Sequence, residues 1–358
     1  MEIILMRMKG SFKSACILFV ICFLICCGSK QGEVKAKFFS LEKILTIDTE
    51  NDETAETGLT DIMHFDIDSE GKIFIANLKA KENHIFILNE NGGLISAFGP
   101  NGQGPGELQT PKELAVSNQD EIFITDTGKV SVFDNTGKHI RDFRIDNEYH
   151  KIIPLNKDRF MAISVKLNED LSQSFQVILC SSGMEELKIL DSSKIKSFQK
   201  AAKVNSIPTL VYFETSDNHI YTGNTDEYEI RVFDFDGNLL RRIKKEDAAV
   251  SLSAKDKEEY EQQLQRYPPE IKEKFFIPDV FPPFKDIVSL GDERLFVQTY
   301  EKSNEGCYLY DIFSAEGEFS GRIELEGNQI KFKGDRVYCL RQKESGYKEL
   351  VVYRMIRE

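Results

Sequence analysis

The chain has 358 residues, of which 41% are apolar and 29% are charged, and its 46 Lys and Arg against 59 Asp and Glu give a net charge of −13. This balance is typical of a soluble globular protein and excludes a chain that is disordered throughout or that crosses a membrane many times. The negative charge would repel a polyphosphate backbone, so we expect no nucleic-acid partner.

Residues 1–26 are predicted to be a lipoprotein signal peptide. Three basic residues near the start precede an apolar run over 15–25, which is too short to cross a bilayer as a helix. The run ends in Leu24-Ile25-Cys26-Cys27-Gly28-Ser29, which resembles a bacterial lipobox. The resemblance implies lipidation at Cys27, with 27–35 as a small, polar tether. Secretion without a lipid and a retained membrane anchor stay open as alternatives.

One strand pattern recurs six times in the rest of the chain. Each copy is a polar turn pair followed by large apolar residues, as a tight turn leading into a buried strand requires. The copies begin at Gly71, Asp120, Asp158, Asn218, Glu293 and Asp335. The first five are each followed by a glycine turn and, six positions later, by a large apolar residue: Gly92/Phe98, Gly137/Phe143, Gly183/Ile189, Gly237/Ile243 and Gly317/Ile323.

The spacing of these glycines predicts the fold. They lie 45, 46, 54 and 80 residues apart, and the first three spacings fit one four-stranded propeller blade each, whereas the last requires an insertion. The sixth copy lacks an outer strand, which residues 37–47 would supply by pairing with 349–355 and so covering two open edges. We therefore predict an all-β, six-bladed β-propeller over 36–358, closed by its N-terminal strand, with a short helical insertion between blades 4 and 5.

The second blade carries a family resemblance. Its stretch Phe98-Gly99-Pro100-Asn101-Gly102-Gln103-Gly104-Pro105-Gly106-Glu107-Leu108, followed by Pro111 and the strand 120–126, resembles the NHL-type repeat. Together with the lipobox, it resembles the NHL-repeat or TolB-like six-bladed propeller lipoproteins of Bacteroidota. The resemblance implies the fold and a place in the cell envelope. It assigns no residue roles. We expect the glycines of 99–106 to serve an interblade turn through positive φ angles.

The insertion, 246–284, is the most individual segment. Ser253 is placed to cap a helix over 254–267, which Pro268-Pro269 would end. The aromatic and proline-rich stretch 275–284 cannot be a central strand. We expect the insertion to plug one face of the propeller or to form part of a partner surface. The residues predicted for either role are Tyr260, Leu264, Phe276, Phe281 and Phe284.

Local motifs give no support for catalysis, a metal or a cofactor. The glycine run lacks the Lys-Ser/Thr of a phosphate loop, and the Asp-rich turns at 66–71 and 234–238 lack the acid that a calcium loop needs at its twelfth position. The five histidines show no zinc spacing, and no GxSxG motif is found. Cys180, Cys307 and Cys339 are expected to be small buried side chains.

The starts of the inner strands are expected to line the mouth of the central channel. The polar residues there could receive an anionic or polar ligand, or could be solvated strand ends. These residues are His64, Lys112, His150, Thr209 and Lys285.

The predicted function is that of a non-catalytic binding or scaffold module for an envelope protein, a peptide or a glycan. The lipid would anchor it to a membrane of the cell envelope outside the cytoplasm. The outer membrane is expected, and the choice between its periplasmic and surface sides stays open. The alternative is a propeller-type enzyme, a lyase or a lactonase, with a metal at the central channel.

Overall fold

The computed structural model describes residues 39–79, 81–146, 148–197, 203–216, 218–246, 249–291 and 293–356. The signal peptide, the tether and the lipidation of Cys27 lie outside the described residues. No described helix is both long and apolar enough to cross a bilayer.

The described residues form six four-stranded antiparallel sheets, each a propeller blade. Blade 1 is β2 (His64–Ile67), β3 (Ile73–Ala76), β4 (Asn83–Leu88) and β5 (Leu94–Pro100). Blade 2 is β6 (Glu113–Val116), β7 (Ile122–Asp126), β8 (Lys129–Phe133) and β9 (His139–Arg144). Blade 3 is β10 (Tyr149–Pro154), β11 (Arg159–Leu167), β12 (Gln173–Ser181) and β13 (Glu186–Ile195).

The second half of the ring repeats this order. Blade 4 is β15 (Val211–Thr215), β16 (Ile220–Asn224), β17 (Glu229–Phe233) and β18 (Leu239–Lys244). Blade 5 is β20 (Asp286–Ser289), β21 (Leu295–Lys302), β22 (Tyr308–Phe313) and β23 (Phe319–Leu325). Blade 6 is β24 (Gln329–Lys333), β25 (Arg336–Gln342), β26 (Lys348–Ile356) and the N-terminal strand β1 (Ser40–Asp48).

The ring is closed as the sequence predicts. β1 pairs antiparallel with β26, from Ser40 opposite Ile356 to Asp48 opposite Glu349, with one bulge between Lys43 and Leu45. The pairing covers the outer edge of β26, which would otherwise be open to other chains. A short helix, α1 (Asp52–Glu56), then leads into blade 1.

The strand directions define two faces. In a four-stranded antiparallel blade the fourth strand ends on the side where the first began, so every connection between blades lies on one face, here called the upper face. The turns between the third and fourth strands lie on the opposite, lower face. The N-terminal strand β1 begins beside Ile356 on the lower face and ends on the upper face.

The core lies between neighbouring blades. Phe74 and Ile85 of blade 1 pack with Leu114 and Phe133 of blade 2, and all four are almost fully buried. Because each blade is covered on both sides, its second strand is a continuous apolar run, as Ile73–Ala76 shows.

The insertion folds partly as predicted. Its helix α2 (Ala254–Leu264) begins with a capping box, in which Ser253 and Asp256 bond to each other's backbone N–H, but it ends three residues before the predicted Tyr267. A second helix, α3 (Pro269–Lys272), follows, although the sequence predicts only a break at Pro268-Pro269. It can form because proline also suits the first turn of a helix. The two-residue strand β19 (Phe275–Phe276) then pairs in parallel with β14 (Val204–Asn205) outside the blades. Residues 249–284 are called the strap below.

The glycine run has two physical explanations rather than one. Gly99 and Gly106 have the expected positive φ angles, of 72° and 74°. Gly102 and Gly104 do not have positive φ angles. A side chain at either position would collide with the carboxylate of Glu107, which accepts a hydrogen bond from the N–H of Gly104 at 2.8 Å. Cys180 and Cys339 are buried, Cys307 is half-buried, and all three are free thiols.

Candidate functional site

A pocket of about 410 Å³ lies on the upper face, between blades 4 and 5 and under the strap. Its volume falls in the range of small-ligand sites. Its wall is formed by the strap, by the segment before β15 and by the outer strands of the two blades. The lining residues include Asn205, Ile207, Thr209, Thr225, Asp226, Tyr228, Lys245, Ala249, Val250, Val280, Phe281, Pro282, Glu301, Asp311 and Arg322.

The strap supplies the apolar roof of the pocket. The ring of Phe281 stacks on that of Tyr300 of blade 5, with centroids 4.4 Å apart and planes 10° apart. Phe281 also packs with Ile207 and Leu252 in a small buried cluster. This cluster holds the strap onto the propeller and fixes the position of Pro282 and its neighbours above the cavity.

The floor of the pocket is a network of charged side chains centred on Asp311, which is fully buried. The carboxylate of Asp311 accepts hydrogen bonds from the hydroxyl of Tyr228 at 2.7 Å, from Nζ of Lys245 at 2.9 Å and from Nε of Arg322 at 2.7 Å. Both terminal nitrogens of Arg322 donate to Glu301, each at 3.0 Å. Burial of a carboxylate costs free energy, and each of these hydrogen bonds offsets part of that cost. The three donors therefore hold the carboxylate of Asp311 in one geometry.

The two cations of this network are already neutralised. Burial disfavours the charged guanidinium of Arg322, but the carboxylates of Asp311 and Glu301 outweigh it and raise the pKa of Arg322. Nζ of Lys245 also lies 5.6 Å from the ring centroid of Tyr228 and 5.0 Å from that of Phe319. The floor is therefore polar and rigid without being a free positive site.

Seven ionisable side chains of the inner strands lie close enough together around the central channel to interact electrostatically across blades. They are His64, Asp66, Glu113, Lys151, Glu214, Asp286 and Lys331. A cavity of about 240 Å³ at the lower mouth reaches Glu214 and Lys333.

Only some of the channel charges are paired directly. Lys331 donates to Asp66 at 2.9 Å, and Nδ1 of His64 lies 3.5 Å from Glu113. Burial lowers the pKa of His64 in spite of the carboxylate of Glu113. Burial raises the pKa of Asp286, and it raises the pKa of Glu214 to about 7 although Lys151 and Lys331 oppose the rise.

The five residues predicted at the channel mouth are not brought together. His64 faces the channel, whereas Thr209 lines the pocket under the strap. Nζ of Lys285 lies 4.0 Å from the ring centroid of Tyr308, within blade 5. Lys112 directly precedes β6, and its charge adds to the effect of burial in lowering the pKa of the exposed His150.

The strap residues divide between the two predicted roles. Leu264, Phe281 and Phe284 are buried, Tyr260 is half-buried, and Phe276 is 45% exposed. The buried members pack as a plug would, while the exposed side chain extends the upper surface. Among the described residues, no group of three or more His, Cys, Asp or Glu is arranged to hold a metal ion.

Sequence reasoning missed the charged floor. Lys245, Asp311 and Arg322 come from the end of blade 4 and from two strands of blade 5, so their spacing in the chain carries no motif. The one local signal is an aspartate within the apolar run 308–313, because a charge on a buried strand needs partners. That signal identifies Asp311 but not the residues that surround it.

Comparison with known proteins identifies the family. The DUF5128 family, described as a 6-bladed beta-propeller, matches residues 36–276. The chain belongs to this family. No curated protein matches the sequence.

Solved structures show the same architecture. A Bacteroides fragilis protein named as exported is 12% identical, with a TM-score of 0.56 over 92% of this chain and 98% of that one. A DUF4221 family member from Bacteroides vulgatus is 10% identical, with a TM-score of 0.51 over 92% and 100%. The calcium-binding protein regucalcin of Agrobacterium tumefaciens is 10% identical, with a TM-score of 0.45 over 89% and 96%. At such identities the likeness to the two Bacteroides proteins establishes the fold alone.

Proposed function

We propose that this propeller is a lipid-anchored, extracytoplasmic binding module that does no chemistry of its own and holds a protein, peptide or glycan on its upper face. The pocket under the strap is the observation that carries the proposal. It combines an apolar roof with a rigid polar floor, as ligand sites do. Next to it, Tyr267, Phe276 and Val280 are 45%, 45% and 43% exposed, so a partner could bury apolar area there.

The position of the N-terminus supports this orientation. β1 enters the ring on the lower face, beside Ile356. A lipid at Cys27 would therefore join the propeller from below, and the 13 residues from there to Ser40 reach at most roughly 45 Å. The strap and its pocket would then face away from the membrane, where a partner can reach them.

Crosslinking in intact cells tests the binding face. A photo-crosslinking residue placed at Tyr267 should capture a specific partner, and the substitutions Phe276→Ser and Val280→Ser should abolish that capture. Leu239→Ser is the matched control, because Leu239 is 44% exposed and belongs to the outer strand β18 rather than to the strap. Equal capture in the strap variants and the control would contradict the proposal.

Labelling with a palmitate analogue tests the anchor. The label should enter the wild-type chain and the Cys26→Ser variant, since only Cys27 is proposed to carry lipid. Cys27→Ser should lose the label and leave the membrane fraction. Retention of the label in Cys27→Ser would show that the anchor lies elsewhere.

One observation favours a second candidate, a lyase or lactonase acting in the channel. A carboxyl group with a pKa of about 7, as at Glu214, is suited to general acid–base chemistry near neutral pH. Metal analysis of the purified mature protein separates the two candidates. Stoichiometric calcium or zinc, lost in Glu214→Gln, would favour the enzyme over the binding module.

A further inference from the structure

The pocket under the strap has a lining that selects among classes of ligand, and this selection deepens the function proposed above. Its charged groups are two cations, Lys245 and Arg322, and three carboxylates, those of Asp226, Glu301 and Asp311. Both cations are bonded to Asp311, and Arg322 is also clamped by Glu301.

An anionic ligand is disfavoured by this arrangement. A phosphate or carboxylate would have to approach cations that already hold carboxylates at 2.7–3.0 Å, and it would then lie beside the charges of Asp311 and Glu301. Like charges at that separation repel strongly where water is excluded. A cationic ligand is also disfavoured. The one carboxylate of the described lining that lies outside the network is that of Asp226, which is exposed, so solvent screens its attraction for a cation.

A neutral ligand rich in hydroxyl groups fits the same lining. Arg322 uses three of its N–H groups on described residues, and a guanidinium has five. Thr209 and Thr225 also line the pocket, and the hydroxyl of Thr225, which accepts from the N–H of Leu210 at 2.9 Å, keeps its own proton to donate. A hydroxyl group can both donate and accept, so it can bond to guanidinium, carboxylate and threonine partners without adding charge.

A sugar also needs an apolar surface for its ring, which the strap provides. A pyranose ring presents C–H groups on its flat sides, and these need an apolar surface. Phe281, Pro282 and Val250 of the strap supply apolar surface in the same pocket as the charged floor. The volume of about 410 Å³ has room for one or two sugar rings.

We propose that the pocket under the strap binds a neutral sugar residue, such as the end of a glycan chain, with its hydroxyls on the charged floor and its ring against the strap. Asp226 and Val280 of the lining are exposed, so a longer chain could continue past them into solvent from the bound residue. Thr209 and Asp226 are the positions where selectivity among sugars can be changed without cutting the floor network.

Ligand-observed NMR on the purified mature protein tests the proposal. The probes are the methyl glycosides of glucose, galactose, mannose, fucose, xylose and N-acetylglucosamine, with inorganic phosphate, lysine methyl ester and trialanine as anionic, cationic and peptide probes. At least one glycoside should bind, whereas the other three probes should not. Binding of phosphate, the amine or trialanine alone, or of no probe at all, would overturn the proposal.

Variants place the binding at this pocket. Thr209→Val should weaken glycoside binding by about tenfold, since it removes one hydrogen-bonding partner. Ala249→Trp, at an exposed position of the lining, should abolish binding by filling the cavity. The control for Thr209→Val is Thr110→Val, at an exposed position outside the pocket lining, which should leave glycoside binding unchanged. Glycoside binding that survives Ala249→Trp would overturn the assignment.

The two proposals can fail separately. If strap-dependent crosslinks form but no glycoside binds, the ligand class is wrong and the binding face stands. If glycosides bind and Ala249→Trp abolishes the binding, but no strap-dependent crosslink forms, the sugar site stands and the role in holding a larger partner on this face fails.

Discussion

Gly137, in the third turn of blade 2, lies directly against the ring of Phe98 in the outer strand of blade 1. A β-carbon added to Gly137 would stand 2.6 Å from Cδ1 of Phe98 and 3.2 Å from its Cβ. Gly317 of blade 5 has the same relationship to Ile243 of blade 4, at 2.8 Å. In these two blade pairs, the recurrent glycine and the recurrent apolar residue six positions after a glycine are the two halves of one contact between neighbouring blades. The other blades depart from it, since an added carbon at Gly183 would meet only Ser181 and one at Gly237 would meet Lys188, Leu179 and Leu190.

This contact predicts the cost of a side chain at Gly137. Gly137→Ala should lower the free energy of unfolding by about 3 kcal/mol, because alanine is strained at a φ of 86° and would also displace Phe98. Gly346→Ala is the matched control, since Gly346 has a φ of 89° with nothing within 4 Å of the added carbon, and it should cost about 1 kcal/mol. Urea unfolding of both variants measures the difference. Equal losses would show that backbone strain alone accounts for the glycine.

Closure of the ring predicts a stability effect at the N-terminal strand. Ile47 is 5% exposed and lies opposite Leu350 in the β1–β26 pairing, so Ile47→Ala should cost about 3 kcal/mol through the cavity it leaves. Ile356→Ala, in the same sheet but 46% exposed, should cost less than about 0.5 kcal/mol. Thermal or urea unfolding checks both values. A small effect at Ile47 would mean that the ring holds without β1.

The Lys331–Asp66 pair predicts a coupling between the last blade and the first. Asp66 accepts from Nζ of Lys331 at 2.9 Å and from the backbone N–H of Val116 at 2.8 Å, so it joins blades 6, 1 and 2 inside the channel. Lys331→Met should lower the free energy of unfolding by about 2 kcal/mol, since it leaves a carboxylate without its cation. The control Lys333→Met changes an exposed lysine of the same strand and should cost less than about 0.5 kcal/mol. Equal losses in urea unfolding would contradict the coupling.

The raised pKa of Glu214 predicts how stability depends on pH. Burial places the pKa at about 7 in the folded chain, against 4.5 for an ordinary glutamate. Between these values the unfolded chain has released its proton and the folded chain has not, so the free energy of unfolding falls as pH rises, by up to about 3 kcal/mol. Glu214→Gln should reduce this fall, to which the raised pKa of Asp286 also contributes, while Glu344→Gln, at an exposed glutamate, should leave it unchanged. Unfolding curves at pH 4, 6 and 8 test the prediction, which an unchanged pH profile in Glu214→Gln would contradict.

The number and order of the blades were readable from the sequence because each blade is a local pattern. A polar turn followed by a continuously apolar strand indicates a sheet that is buried on both faces. Six repeats of this pattern are typical of a six-bladed propeller. The N-terminal strand was predictable for a related reason, since the last copy lacked a fourth strand and an open edge needs a partner. The helix cap at Ser253 was predictable for the same reason, because capping depends on residues next to each other in the chain, whereas the end of α2 at Leu264 was not predicted.

The candidate site was not readable in the same way. Thr209 was expected at the channel mouth, but the strap, held down by Phe281 on Tyr300, makes it part of a different cavity. Asp311 meets Lys245 and Arg322 only because blades 4 and 5 pack side by side. The sequence by itself determined the strands, their grouping into blades and the closing pair, because burial and turn chemistry repeat over a few residues. The tertiary structure alone decided which charges meet, because contacts between sheets depend on twist and packing across residues far apart in the chain.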